Sequence, residues 1–371
     1  MKKVCHVTSV HPPEDGRIFR KECVSLANAG YDVSLVQQGG SYEKDGVHIV
    51  GVGAIPASRK ERMFRFSKKV YETALNVDAD IYHLHDPELL LYALKLKRKG
   101  KKVIFDSHER YTELFAIKGY LPRWCRGLIA FAYGTLERYV LRRIDGLVFP
   151  CLLQGKNPME GMCPHIAIVN NVALLNEMYD HYDPNLEKYE RSICYLGGLN
   201  HDRGITHIVK TAAAADCTAY LGGNFDSRAY QTQLESMEEY SHVKYLGVLD
   251  RQQARELLMH CRIGMANLLN VSQYNRYDNM PTKVYEYMAL GLPVILSRAP
   301  YNEKMMQQYQ FGVCVDPENV EEMAAVIRYL LEHPEEMRRM GENGRRAVKE
   351  EFNWGVEEKK LFALYEEILK D

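Results

Sequence analysis

Two doubly wound α/β domains, each a parallel sheet covered by helices, are the architecture this sequence predicts. Three observations carry that expectation. Short β-branched runs alternate with amphipathic helical stretches from residue 4 onward, the pattern of successive βαβ units. A polar stretch over 176–191, containing Asp183-Pro184-Asn185, interrupts the alternation, which then restarts. A chain of 371 residues is long enough for two domains of ordinary size, each with its own core. The expected division is therefore a first domain over 1–175, a linker over 176–191 and a second domain over 192–353.

In the first domain Val4 to Val10 reads as a strand and Arg17 to Ala29 as a helix closed by Gly30. Strands follow at Val33 to Val36 and Val47 to Val52, then a basic amphipathic helix from Arg59 to Leu75. Asp80 to His85 is a strand, Glu88 to Arg98 a helix and Val103 to Ser107 a strand. Trp124 to Arg143 is a long helix before strands at Gly146 to Phe149 and Ile166 to Val169. The second domain opens with a strand at Ile193 to Gly197 and a helix at Ile205 to Ala214. Ala219 to Gly222, Val243 to Val248, Ile263 to Leu269, Val294 to Leu296 and Val313 to Val315 are its further strands. The tail, Trp354 to Leu369, is a helix with Leu361, Leu364, Tyr365 and Ile368 on one stripe.

Composition narrows the class. The charged fraction of 26% and apolar fraction of 46% are those of a soluble globular protein. The start, MKKVCHVTSV, lacks the apolar core of a signal peptide, and no apolar run is long enough to span a bilayer. Nine scattered cysteines without a C-x-x-C pair suit reduced thiols in a cytoplasm. Residues 1–175 hold 26 Lys+Arg against 18 Asp+Glu, and the remainder 22 against 31. A basic first half suggests an anionic partner, a membrane surface or a phosphorylated acceptor. Nucleic acid is not expected, because no recognised binding module accompanies the charge.

The richest stretch is Tyr277 to Leu296, YDNMPTKVYEYMALGLPVIL. Pro281 suits a first helical position with Asn279 as a cap before it. Gly291 suits a left-handed stop, and Pro293 forbids continuation. A loop feeding a helix N-terminus makes an anion site from unpaired amides and the helix dipole. Asp278 and Glu286 flank it, and a carboxylate pair accepts the hydroxyls of a sugar or ribose beside a phosphate. By spacing alone the pair is equally an exposed loop acid and an ordinary helix acid. A second anchor is YLGGLNHDRGI, in which Gly197 and Gly198 either serve a turn or let the backbone approach a diphosphate whose charge Arg203 would neutralise. In VIFDSHE, His108 ends an inner strand where ligands of open α/β sheets bind. His83, His85 and Asp86 end the preceding strand, with packing the simpler account of His83.

Metal binding by these histidines is not expected, because no third ligand stands at a suitable spacing. Asp78-Ala79-Asp80 precedes a strand, so it reads as a helix exit and not a metal motif. Two stretches interleave cations with aromatics, RKERMFRFSKK from Arg59 and the Leu121 to Arg143 run, a composition that suits anionic headgroups. The apolar part of the second is equally plain core.

Asp278 and Glu286 stand at the spacing of the E-x7-E signature of the retaining glycosyltransferases of family 4, with Asp in the first place. The flanking PTKVYEYMALGLPVI closely resembles the version found in bacterial polysaccharide and cell-envelope transferases. This resemblance, which runs along nearly the whole chain, implies a GT-B fold. Its two Rossmann-like domains would face a cleft, with 354–371 crossing back to an acceptor-binding first domain. It implies that Glu286 holds the nucleotide ribose, that Asp278 faces the donor sugar, and that Met280, Pro281, Thr282 and Lys283 lie along the donor. It implies that His108 contacts the sugar, with Glu109 beside it and His85 and Asp86 on the acceptor side.

The family's glycine loop usually carries an Arg after its first Gly and a Lys before a later one. Here those positions hold Gly198 and Arg203, so one cation is missing. The segment Gly16-Arg17, in an Asp-x-Arg-Ile pattern that a subset of the family shares, offers Arg17 as the substitute. The implied activity is metal-independent, retaining transfer of a sugar from a nucleotide diphosphate sugar, most readily a UDP-sugar. The implied acceptor is a glycan or polyprenyl-linked saccharide of envelope or polysaccharide synthesis at the inner face of the cell membrane. A nucleotide-sugar epimerase of the same fold and a catalytically silent partner subunit remain the alternatives. No cofactor is expected.

Overall fold

The computed structural model describes residues 1–117, 122–271 and 274–370, and the chain divides into two compact units. The first comprises residues 1–152, 156–171 and 355–371, the second 153–155 and 172–354. The stretch 176–191 is therefore no free linker. Met178 is fully buried in the second unit's core, and the Arg345 guanidinium stacks on the rings of Tyr179 and Tyr182 at 3.9 and 4.0 Å. Its polar sequence hid these few anchors.

The first unit is an eight-stranded sheet. Its strands are β1 (Lys3–Val7), β2 (Asp32–Gln37), β3 (Tyr42–Lys44), β4 (Val47–Gly51), β5 (Ile81–Leu84), β6 (Lys102–Asp106), β7 (Gly146–Phe149) and β8 (His165–Ile168). Their order is β3-β4-β2-β1-β5-β6-β7-β8. All neighbours are parallel except β3 and β4, an antiparallel hairpin. That hairpin has no counterpart in the sequence reading. Its signal is Asp45-Gly46, both at positive φ (48° and 77°), the pairing a tight two-residue turn requires. Helices fill the crossovers, and Ile18–Cys23 is wound as a π-helix before the short helix Val24–Asn28. The helix Trp354–Lys370 buries Leu361, Leu364, Tyr365 and Ile368, the stripe its periodicity marks. Gly146 in β7 receives it, since a Cβ there would stand 2.5 Å from Ile368 Cδ1.

The second unit is a six-stranded, all-parallel sheet. It contains β9 (Ser192–Leu196), β10 (Thr218–Gly222), β11 (Val243–Tyr245), β12 (Ile263–Ala266), β13 (Val294–Ser297) and β14 (Gly312–Val315), in the order β11-β10-β9-β12-β13-β14. The order reverses between β9 and β12, the switch point at which doubly wound sheets bind nucleotides. The helix before β13 spans Thr282–Ala289, and Pro281 rather than Asn279 occupies its cap position, without a side-chain bond. Gly291 closes it at φ 69°, as expected. No helix among the described residues is long and apolar enough to cross a membrane. The described cysteines are all unpaired, and eight of the nine are buried.

Candidate functional site

The sharpest feature of the second unit is a pair of cations over the glycine loop that follows β9. Gly197 holds φ 135°, a conformation side chains resist, and an added Cβ would stand 3.2 Å from Lys283 Nζ and 3.5 Å from Arg203 Nη1. At Gly198 the nearest atoms are again those of the Arg203 guanidinium, at 3.8 Å. The glycines thus leave open the space where both cations meet. Arg203 is placed by a short turn, His201–Arg203, whose cap Asn200 accepts from the Arg203 amide at 3.0 Å.

Lys283 enters from the first turn of the helix Thr282–Ala289. Its ammonium lies 3.3 Å from the centre of the Tyr195 ring and is a buried nitrogen without a hydrogen-bond partner. Burial, and then the nearby Arg203, hold its pKa well below the usual lysine range, while Glu286 opposes them. A buried cation beside an aromatic ring and another cation, with no hydrogen-bonded anion, is costly unless an anion completes the site. The family resemblance implies that Lys283 lies along the donor, and only the fold reveals that its nitrogen stands beside Arg203 over Gly197. Tyr195, the ring beneath it, was missed because a strand tyrosine carries no signal of its own; burial pushes its pKa up to about 12.

The two carboxylates are both engaged. Glu286 accepts from Arg251 at 2.8 Å, and Arg251 also bonds Glu177. One Glu286 oxygen is thereby oriented, which leaves lone pairs for a diol. Arg251 was not anticipated; it lies 35 positions from Glu286 and only the fold pairs them. Asp278 accepts from the backbone amides of Gln154 at 3.1 Å and Gly155 at 2.5 Å, residues held at φ 50° and 76°. The carboxylate of the shorter first acid is thus anchored to backbone. Met280 is buried, while Pro281 and Thr282 are half-buried at the helix start.

In the first unit the carboxyl ends of β1, β5 and β6 gather a polar cluster. His85 Nε2 lies 2.9 Å from His6 Nδ1, and His85 Nδ1 lies 3.2 Å from His108 Nε2. Tyr365 on the C-terminal helix meets His83 Nδ1 at 2.9 Å and His6 Nε2 at 3.3 Å. His83, His85 and His6 are fully buried, so His108, half-buried, is the end of the chain nearest solvent. Burial is the main cause that keeps the His108 imidazole neutral, aided by Arg17 and His85 against the pull of Asp106. Asp86 accepts from Thr8 Oγ1 at 2.8 Å and the Ser9 amide at 2.5 Å. The His11 ring lies 4.8 Å from that of His108, with its Nε2 3.5 Å from Asp86. Glu109 is exposed beyond this cluster, and Gly16 is exposed with nothing crowding it.

Arg17 departs from its expected place. Its guanidinium is 5% exposed and donates to Asp106 Oδ2 at 3.0 Å, Asp106 Oδ1 at 3.3 Å and the Val169 carbonyl at 3.0 Å. It also faces Glu22 at 3.0 Å. This two-pronged ion pair orients Asp106 under His85 and His108, so Arg17 braces the histidine end. The expectation that the histidines lack a third metal ligand also needs correction. Glu22 approaches His6 and His85 to 3.9 Å, and among the described residues His6, Glu22, His83 and His85, or His85, Asp106 and His108, stand close enough to hold an ion. Sequence spacing could not show it, because the acids arrive from other elements. Asp78 sits at φ 50° as a helix exit with Asp80 bonded to the Lys3 amide, at the opposite end of β5 from this cluster.

Known proteins resemble the chain along both units. The family model "Glycosyl transferase 4-like domain" matches residues 16–154, and "Glycosyl transferases group 1" matches residues 180–347. An MMP α-(1→4)-mannosyltransferase of Mycolicibacterium hassiacum is 35% identical over 94 residues, 25% of this chain and 23% of the relative. An α-D-kanosaminyltransferase of Streptomyces kanamyceticus is 22% identical over 185 residues, 47% of this chain and 45% of the relative. These alignments span about a quarter and under half of the relatives' own lengths. In fold, sucrose-phosphate synthase of Thermosynechococcus elongatus superposes over 100% of both chains with a TM-score of 0.79 at 15% identity. HepE of Anabaena, solved with UDP and glucose, covers 99% of this chain and 100% of its own with a TM-score of 0.68 at 13% identity. With a glycosyltransferase model matching each of its two parallel-sheet units, on a GT-B frame, the chain belongs to the glycosyltransferases of the family 4 type.

Proposed function

We propose that the protein is a retaining glycosyltransferase that moves a sugar from a nucleotide diphosphate sugar to a glycan or lipid-linked acceptor. The observation that carries this reading is the meeting of Lys283 and Arg203 over Gly197 and Gly198 beside a helix N-terminus, where the buried Lys283 nitrogen has no hydrogen-bond partner among the described residues. A diphosphate has the charge and the size for that place. UDP is the first candidate nucleotide, since HepE was solved with UDP and glucose. Glu286, steadied by Arg251, would accept the ribose hydroxyls.

Cleaving the bond from sugar to diphosphate builds positive charge on the sugar and negative charge on the departing phosphate. Arg203, Lys283 and the amides at Thr282 would stabilise that phosphate without a metal, electrostatic help that grows in a site closed to water. The departing phosphate oxygen would take the acceptor's proton on the same face of the sugar, which retains configuration and requires no protein base. Neutral His108 would donate or accept a hydrogen bond to the sugar, oriented through His85 and Asp106. Asp278 would touch the sugar with the lone pairs its backbone anchors leave. The basic first unit would bring the protein to an anionic membrane face where such acceptors lie.

The test is incubation with radiolabelled nucleotide sugars and extracted lipid acceptor. Labelled glycolipid supports transfer. An isomerised free nucleotide sugar would point to an epimerase, and tight UDP binding without turnover to a silent subunit. Lys283→Met and Arg203→Ala should each lower transfer by about two decades, the usual loss for one electrostatic contact to a developing anion. Near-native rates in both would reject this site.

A further inference from the structure

Three imidazoles and a carboxylate meet in the core of the first unit, deeper than any step of the proposed transfer reaches. His6 on β1 stands in register beside His83 on β5. His85 extends β5, its amide bonded to the Val7 carbonyl at 3.1 Å, and two residues on from His83 it points to the same face. The three ring centres lie 4.5, 4.7 and 5.2 Å apart, so the rings gather about one point. Glu22 enters from the π-helix Ile18–Cys23, a winding that recurs at functional sites. All four side chains are fully buried. Even so, Glu22 Oε2 and His83 Nε2 have no hydrogen-bond partner among the described residues, an arrangement that a folded core rarely tolerates.

Distances, outer hydrogen bonds and charge all suit a cation there. Zinc takes imidazole nitrogen at about 2.0–2.1 Å, which in a tetrahedron sets neighbouring donor atoms about 3.3 Å apart. His6 Nδ1 lies 2.9 Å from His85 Nε2, and Glu22 Oε2 lies 3.9 Å from each, values on either side of that spacing. One donor atom from each of the four residues stands within 4.8 Å of the others. The nitrogens turned away from this point are held as ligating imidazoles require. Tyr365 Oη lies 2.9 Å from His83 Nδ1 and 3.3 Å from His6 Nε2, and its two lone pairs can accept from both. His85 Nδ1 faces His108 Nε2 at 3.2 Å and Asp106 Oδ2 at 3.7 Å. Glu22 and Asp106 both face the Arg17 guanidinium. When both acids are ionised the three groups carry a surplus negative charge, which a divalent cation neutralises.

We propose that His6 Nδ1, His83 Nε2, His85 Nε2 and Glu22 Oε2 hold a zinc ion. Imidazole with a single carboxylate suits zinc, whereas magnesium and calcium take shells of oxygen. Four protein ligands leave no position for water or substrate, so the ion is structural. It ties β1, β5 and the π-helix together and, through Tyr365, fastens the helix Trp354–Lys370 to them. Zinc on His85 Nε2 also leaves that ring's proton on Nδ1, aimed at Asp106 and His108. The site does not depend on the transferase reading, and the chemistry proposed at the diphosphate draws nothing from it.

The experiment measures metal in the full chain, with Zn²⁺ and Co²⁺ as the probes. After dialysis against EDTA, elemental analysis should find about one zinc per chain, since a buried ion leaves only as the protein opens. Chain unfolded in EDTA and refolded with Co²⁺ should show the visible absorption of tetrahedral cobalt, a signal that hydrogen bonds among the side chains cannot give. Glu22→Gln and His83→Phe should each lose most of the metal, while His108→Gln keeps it. Tyr365→Phe should keep the stoichiometry and weaken zinc binding about tenfold or more, the usual effect of removing an outer hydrogen bond. Wild type without zinc and without the cobalt spectrum would overturn the proposal, whatever the variants do. Zinc retained in both Glu22→Gln and His83→Phe would place the ion elsewhere and overturn it too. Loss in His108→Gln with retention in Glu22→Gln would move the ion to His85, Asp106 and His108, again against the proposal. Should a variant fail to fold, the wild-type zinc content and cobalt spectrum still decide.

Discussion

At the scale of single residues, the chemistry concentrates in side chains whose burial leaves something unsatisfied. Lys283 is the clearest, and its lowered pKa sets a direction. In the free protein burial and Arg203 disfavour its charged form, whereas a bound diphosphate favours it, so UDP binding should take up a proton. UDP affinity is then expected to fall as pH rises above the second phosphate ionisation at about 6, through the range where the free protein's Lys283 has lost its proton. Calorimetry would show the slope and its loss in Lys283→Met; an unchanged slope would remove Lys283 from the site. Gly197→Ala should abolish most UDP binding, because the new methyl would stand between the cations at a φ that alanine resists.

His11 titrates the other way. Burial lowers its pKa, but the Asp15 hydrogen bond and the charges of Asp86 and Asp15 outweigh that and raise it. Its stabilisation is therefore complete below the unfolded value of about 6.5 and is lost as pH rises through the raised folded value. The stability difference between wild type and His11→Gln should shrink from pH 5.5 to 8.5 in denaturant titrations. A constant difference would mean that the imidazolium does not matter.

At the scale of elements, the helix Trp354–Lys370 is tied to the histidine cluster through one hydroxyl. Tyr365 bridges His83 and His6, so Tyr365→Phe strands buried ring nitrogens and should cost about 1–3 kcal/mol. The loss should appear in the first unit's unfolding, and His108→Ala should not reproduce it. The glycine loop and the helix Thr282–Ala289 form a second such pairing, each ending at the switch point between β9 and β12. Their legibility differed. Gly291, Pro281 and the apolar run after them marked the helix and β13 from local rules, because a stop and a start are decided by φ and by one missing amide. The hairpin β3–β4 went unread although Asp45-Gly46 announced it, because its outer strand is three exposed polar residues with no alternation to detect.

At the scale of the molecule, the two units have separate cores and separate sheets, so ligand effects should be local. UDP at a hundred times its dissociation constant stabilises whatever binds it by about 2.7 kcal/mol. Hydrogen exchange should show the strongest new protection in residues 197–204 and 282–289, and a response confined to β1–β8 would contradict the placement of the nucleotide. By itself the sequence determined the parallel strands of the two sheets, though not the antiparallel β3, together with the glycine loop and the spaced acids, since strand and helix periods, turn residues and motif spacings are local properties. Only the tertiary structure decided which cation stands beside Arg203 over the glycine loop. It set Arg17 against Asp106, Lys283 beside Arg203 and Arg251 on Glu286, because the partner of a buried charge is chosen by how distant elements pack.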